Sequence, residues 1–290
     1  MKLDEKKIES IKENLFFRSQ KAIPDYYSFD WHNFKGNIDT NKINSSQAIA
    51  IDFWGCLKLS QYKDQIINRL FSKNCDAWDI KFEYKNKNIL SEKRPTQIDV
   101  KIESESFAII IESKFTETNG GMCSQTKKSE NGYSQCNGNY EFQTNHINGI
   151  KSKCALAGKG ILYWDYIDSL TIFDLNETYY PCPFKNSEFQ WMRNICFAAA
   201  YAKFKNIGSE CYLVYYKSDK CAISRKIKNH KYLGELNEKI ENPKTFLPLS
   251  YNDLLDQVIE FLDSIDRVEK QIWVELQNWL KEKELQIKYS

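Results

Sequence analysis

Residues 95–115 read PTQIDVKIESESFAIIIESKF. From Gln97 to Ile102 apolar and polar side chains alternate, the period of a half-buried strand, and Phe107 to Ser113 is a β-branched run suited to a central strand. Ser104 to Ser106 is short enough to turn the one into the other. Just upstream, WDIKFEYK from Trp78 carries a looser two-residue alternation. Three successive strands are therefore expected, antiparallel at their hairpin connections.

The charged residues of this stretch carry chemistry. In a strand, Glu112 and Lys114 share one face while Ser113 points to the other. A hairpin returning from Asp99 brings a second carboxylate to the same place. Two carboxylates can hold one or two Mg²⁺ ions, with water and phosphate oxygens filling the remaining positions. Such an ion polarises a phosphate, favours hydroxide formation and stabilises developing oxygen charge. A lysine beside metal-bound carboxylates stays protonated, so Lys114 suits positioning and electrostatic support better than an unqualified general-base role. The constellation is that of phosphodiester hydrolysis. The plainer alternative is a solvated salt bridge guarding a strand edge.

With Pro95 and Asp99 in PTQID, and Glu112-Ser113-Lys114 as an E-x-K element, the chain resembles the PD-(D/E)XK nuclease superfamily. The proline and aspartate are not adjacent here, which makes the first half of the motif looser. The resemblance runs from about Trp78 to Tyr216. It implies an α/β fold, a restriction-endonuclease-like mixed β-sheet core flanked by helices, with Asp99 and Glu112 as metal ligands and Lys114 as their catalytic companion. In related architectures a glutamine on the helix after the hairpin approaches the active centre, which adds Gln190. SSQAIAIDFWG, ESKFTE, GKGILYW and QWMRNICFA are similar to segments of an uncharacterised group of bacterial enzymes of the restriction-endonuclease type. That similarity implies a Mg²⁺-dependent DNA endonuclease, type II-like, in bacterial defence, with Mn²⁺ able to substitute. Double-stranded DNA is the implied substrate, and a homodimer is one way to supply the two cuts a duplex needs.

Around this core, a single nuclease domain over 1–290 is expected. A helical N-terminal cover occupies about 1–75, with helices at Leu3–Gln20, Ser45–Leu59 and Tyr62–Phe71. Asp52, or else Glu9, is the candidate for a further metal-side carboxylate from this cover, against a cap or surface role. The core covers about 76–216 and contains an insertion at about 116–186, whose first part is rich in Gly, Asn, Ser and Thr and reads as loops. GILYWDYI near Gly160 reads as another strand, Glu188–Phe204 as a helix and Glu210–Tyr216 as a buried strand. A mainly helical extension fills about 249–290, with two helices separated near Asp263–Asp266. Gln190 and Arg193 lie three positions apart on one helix face, and the planar fork of Arg193 suits a phosphate. KSDKCAISRKIKNHK, residues 217–231, holds six Lys or Arg against one Asp. Its Arg225, Lys226 and Lys228 are expected on the DNA backbone, where they give affinity without base selectivity, with a merely soluble loop as the equal alternative.

Across all 290 residues, 41 Lys and Arg against 39 Asp and Glu leave a net charge of +2, which excludes a simple nucleic-acid coating protein. Hydrophobic residues at 42% and aromatics at 14% exclude a disordered polyelectrolyte. No apolar run approaches the roughly 20 residues of a membrane span, and Met1–Leu15 lacks the pattern of a secretory signal, so a cytoplasmic protein without membrane attachment is expected. Nine cysteines cannot all pair within the chain. Cys123, Cys136, His146, Cys154 and Cys182 surround the insertion; zinc or iron-sulfur ligation is one reading, buried or free thiols the other, because no paired C-x-x-C is present. Two competing functions remain open at this point: a catalytically weak or inactive nuclease-like DNA-binding protein, and a repair exonuclease or RNA-directed nuclease.

Overall fold

The computed structural model describes residues 3–138, 143–144, 151–152, 154–167, 182, 184–185, 187–238, 240 and 246–287. The chain begins with helices α1 (Glu5–Glu13), α2 (Ser46–Lys58) and α3 (Lys63–Phe71), then strands β1 (Asp79–Lys85), β2 (Gln97–Glu103) and β3 (Phe107–Lys114). Helix α4 (Phe189–Lys205), strand β4 (Gly208–Tyr215), helices α5 (Ala222–Lys228) and α6 (His230–Asn237), strand β5 (Phe246–Ser250) and helices α7 (Tyr251–Asp263) and α8 (Arg267–Gln286) follow. Side-chain oxygens of Asp4, Ser45, Ser250 and Asp266 accept first-turn N–H groups and start α1, α2, α7 and α8.

The five strands form one sheet in chain order, β1-β2-β3-β4-β5. β1, β2 and β3 pair antiparallel; β3, β4 and β5 pair parallel, with α4 carrying the chain from β3 to β4. This is a mixed sheet flanked by helices, the α/β restriction-endonuclease-like fold. Because side chains alternate across a strand, β3 serves two cores. Ile109 and Ile111 pack with Phe53, Trp54, Leu254, Trp273 and Leu276 of α2, α7 and α8. Ala108 and Ile110 pack with Trp191, Ile195 and Phe197 of α4. The β2–β3 turn closes through Ser104, whose N–H donates to the Phe107 carbonyl at 2.9 Å.

Two expectations from the sequence need correction, and one strand was not foreseen. The opening helix does not run from Leu3 to Gln20: α1 stops at Glu13, and the amide of buried Asn14 donates to the carbonyls of Thr40 and Lys42, both at 2.7 Å. Tying Asn14 there turns the chain, which re-forms only a short 3₁₀ turn at Ser19–Ala22. GILYWDYI is no strand; the N–H of Leu162 donates to the Leu90 carbonyl and Trp164–Ile167 winds into one helical turn, because Tyr163 is drawn into the core beneath α4. Finally, the parallel strand β5 completes the sheet just before the C-terminal helices, where FLPLS is too short and too proline-broken to announce itself.

Candidate active site

The β2–β3 ladder ends at the pair Val100–Ile111, and one further step in that register sets Asp99 opposite Glu112. There the strands part. Asp99 fills the opening by accepting the Ser113 N–H at 2.7 Å. Ser113 turns its hydroxyl to the other face, 2.8 Å from the Tyr251 hydroxyl and 3.2 Å from the Ser46 carbonyl, which anchors β3 to α7 and α2. Glu112 and Lys114 share the face toward α4. Their ion pair measures 2.7 Å, and the second Glu112 oxygen accepts the Asn194 amide of α4 at 2.6 Å. The sequence reading of Asp99, Glu112 and Lys114 as one group thus meets a geometry that brings them together.

A third carboxylate joins them from β1. Glu83 lies across from Asp99 and has φ +50°, the left-handed region that a residue of its size rarely adopts. The twist breaks the strand's alternation: Phe82 packs toward the α2 side and Tyr84 toward the α4 side. Glu83 is clamped by Gln47 at 2.6 Å, by Gln97 and by the His32 imidazole at 3.3 Å. Ligand atoms of His32, Glu83 and Asp99 all lie within 4.8 Å of one another, a group able to hold a divalent metal. Backbone strain held in place by several side chains is a mark of functional sites.

The electrostatics follow from crowding the half-buried Asp99 against the buried carboxylates of Glu83 and Glu112. Burial, then the Glu112 and Glu83 carboxylates, push the Asp99 carboxyl well above the usual range. Burial pulls on the Lys114 ammonium in the opposite sense, but Glu112, Glu117 and Asp99 outweigh it and hold it above an ordinary lysine. Burial likewise lowers His32, yet the hydrogen bond and charge of Glu83 raise it to about 9. Excess negative charge on hard oxygen donors is what a divalent cation relieves, so the residues fit such an ion.

The group opens into a cleft of about 970 Å³. His32, Gln97, Asp99, Glu112 and Lys114 line one side, residues 116–122 form a loop wall, and Gln190 and Arg193 face them from α4. This is room for an extended polar ligand rather than a small apolar one.

A family model described as Restriction Endonuclease associating with ARP matches residues 2–283. The chain belongs to this family. No curated protein and no solved structure matches it. Membership in this restriction endonuclease family agrees with the PD-(D/E)XK resemblance read from the sequence, and it gives the nuclease-like site a context.

Not every residue singled out in this family member lies at the cleft. Asp52 is fully buried on α2: one carboxylate oxygen accepts from the Phe16 N–H and Ser19 hydroxyl, the other from the Trp279 indole and Lys283 ammonium, at 2.7–3.0 Å. With four donors in place it holds α2, α8 and the N-terminal turn together, and the expectation of a metal ligand there is corrected. Arg193 reaches the cleft, but its guanidinium also donates twice to Thr96 and lies 3.7 Å from Glu92. Arg225, Lys226 and Lys228 sit on α5, outside the cleft lining; Lys228 and Arg225 meet Asp219, and Lys226 lies over the Tyr232 ring. His146 lies outside the described residues.

Sequence reasoning missed Glu83, His32 and Asn194. The imperfect alternation of WDIKFEYK was the available signal for Glu83, since a charged residue that falls out of phase in a strand must point somewhere unusual. Asn194 lies four residues beyond Gln190, one helical turn along the face already chosen. His32, in a loop distant in sequence, left no trace of its partner. No helix among the described residues is long and apolar enough to cross a membrane.

Proposed function

We propose that this protein is a Mg²⁺-dependent DNA endonuclease of the restriction type, with Mn²⁺ able to substitute, acting on double-stranded DNA in the cytoplasm as part of bacterial defence. The observation that carries this reading is the meeting of Asp99, Glu112 and Lys114 at the parted end of a hairpin, facing a polar cleft. Asp99 and Glu112 would hold the metal, with Glu83 and His32 beside them. A bound divalent ion supplies Lewis acidity toward the scissile phosphate and lowers the pKa of a bound water.

The chain's own residues do the rest. Lys114 keeps its proton and presents positive charge where the phosphorane gains negative charge. Asn194 fixes the Glu112 carboxylate so that its other oxygen stays with Lys114. Gln190 orients water or a phosphate oxygen from the opposite wall, and Arg193 offers its exposed edge to the backbone. Arg225, Lys226 and Lys228 extend backbone contact beyond the cleft, and a second copy of the chain supplies the second cut. The family's name carries an association with ARP, which we take as the setting in which this nuclease works.

The test incubates wild type and Glu112→Ala protein with closed circular and linear DNA, with Mg²⁺ or with chelator. Discrete Mg²⁺-dependent fragments from wild type alone are expected. Absence of wild-type cleavage on both modified and unmodified DNA refutes the reading, and degradation confined to linear ends would make the protein an exonuclease.

A further inference from the structure

A second chemical site lies in the insertion. Cys123, Cys136, Cys154 and Cys182, spread widely along the chain, all line one cavity of about 40 Å³ beside the first turn of α4. Apart from them the wall is largely apolar, with Leu156, Trp164, Phe184 and Met192 among its residues. The cavity has room for an ion and little more.

The backbone around the four thiols repeats one arrangement. The Gly138 N–H donates to the Cys136 sulfur at 3.4 Å. Near the other three sulfurs, the N–H groups of Gln125 at Cys123, of Leu156 and Ala157 at Cys154, and of Phe184 at Cys182 favour the thiolate. In all four loops such an N–H belongs to the residue two positions after the cysteine. The Trp164 indole adds a further bond to Cys154 at 2.9 Å. Donors aimed at sulfur favour its anionic form, the form that binds metal, and they are how protein backbones support thiolate ligands. At the core thiols Cys196 and Cys211 burial dominates, with no such N–H beside the sulfur. The loops bearing the four thiols are also stitched together, through Cys123 N–H to the Lys185 carbonyl at 3.0 Å, Cys136 N–H to Gln125 at 2.9 Å and Cys182 N–H to Gly138 at 2.9 Å.

We propose that Cys123, Cys136, Cys154 and Cys182 form a four-thiolate site for a structural zinc ion that pins the insertion to α4. Among the described residues only His32, Glu83 and Asp99 have ligand atoms all within 4.8 Å of one another. The four sulfurs stand more loosely, and binding draws them in to the roughly 2.3 Å bonds of a zinc thiolate. Burial raises the Cys123, Cys154 and Cys182 thiols, and each is further opposed by its cysteine neighbours. Zinc binding to thiols displaces their protons.

The site has a structural consequence for the cleft. Phe189 lines both the cysteine cavity and the cleft, and Ser124, next to Cys123, lines the cleft. The Gln190 N–H donates to the Gly120 carbonyl at 2.7 Å. Zinc at the four cysteines clamps the loop wall against the helix that carries Gln190 and Arg193.

The full chain, purified under reducing conditions and dialysed against a mild chelator, is assayed for bound metal and titrated with a mercurial while zinc release is followed with a dye. About one zinc per chain is expected, freed in step with modification of about four thiols. Cobalt reconstitution of the stripped protein should give intense thiolate-to-cobalt absorption. A Cys123→Ser/Cys182→Ser double variant should lose the zinc, whereas Glu112→Ala should keep it. The proposal is overturned by wild type that retains no metal and gives no cobalt bands, by zinc that survives the double substitution, or by iron with acid-labile sulfide in place of zinc. The wild-type mercurial titration decides the matter even if the double variant does not fold.

Discussion

Replacing Asp52 by alanine separates a metal ligand from a structural keystone. The substitution leaves the Lys283 ammonium, whose side chain is 2% exposed, without its carboxylate partner at 2.9 Å. It also strips the acceptor from the Phe16 N–H, the Ser19 hydroxyl and the Trp279 indole. Breaking a buried ion pair by removing one member costs about 3–5 kcal/mol. Lys283 keeps one bond, to the Asn14 carbonyl at 2.6 Å, which does not neutralise it. At roughly 2 °C of melting temperature per kcal/mol for a chain of this size, the fall is on the order of 6–10 °C. Thermal and urea melts of chelated protein measure it. A Lys283→Met change in the same background should recover part of the loss, since the two effects share one contact. Below its melting transition, Asp52→Ala should still cleave DNA with Mg²⁺. An unchanged melt combined with lost cleavage would return Asp52 to the metal and refute the reasoning.

Asp99→Asn should abolish cleavage while stabilising the chelated protein. A carboxyl whose folded pKa is raised favours folding fully only below its unfolded pKa of about 3.9 and weakens it as pH rises beyond that. The neutral amide should therefore raise stability at pH 8, by an amount on the order of 1 kcal/mol, and make no difference near pH 3; a lower melting temperature at pH 8 speaks against the crowded-carboxylate picture. Asn194→Ala should reduce single-turnover cleavage about 10- to 100-fold with little change in DNA affinity, because Asn194 acts by holding Glu112. A pure affinity loss would place Asn194 on DNA instead. His32, raised to about 9, contributes stability that is complete below about 6.5 and is lost as pH climbs through 9. Its ring-proton NMR shift in chelated protein should titrate near 9 and move to lower pH when a divalent metal neutralises Glu83; a midpoint near 6.5 without metal would dissolve the proposed cluster.

The parts of this molecule that were legible in sequence are those in which local pattern and tertiary role coincide. β3 declares itself because Ala108 to Ile111 are buried on both faces, and Glu112 and Lys114 interrupt that run with charge where a buried strand has no structural use for it. α4 and the pair α7 and α8 likewise follow their apolar periodicity. Asp52 misled for an instructive reason: a carboxylate inside the apolar face of α2 is abnormal in sequence, and metal ligation and burial against a distant lysine produce the same anomaly. Lys283 lies far along the chain, so nothing local distinguishes them. His32 and Glu83 were hidden for the converse reason, each looking ordinary until the fold set them together. The four cysteines were visible as residues, but their wide spacing concealed a shared cavity that only loop folding creates.

The alternation of β3 explains why the candidate site is both rigid and adaptable. Ser113 is bolted to α7 and α2 on one face, so the backbone that carries Glu112 and Lys114 on the other cannot shift without disturbing the larger core. Asp99 adds a bond from the adjacent strand at the same residue. The three charged groups are thus fixed by the sheet. The opposite wall, from Thr116 to Met122, is loop, held through Thr116 to Asn44 at 3.4 Å and through Gly120 and Gly121 to Ser187 and the start of α4. For the proposed nuclease, a cleft with one side fixed by the sheet and one wall fastened through loops can vary what it accepts without moving Asp99, Glu112 and Lys114. On that proposal the residues that discriminate between substrates belong on the loop wall, and the proposed zinc site behind it sets how firmly it stands.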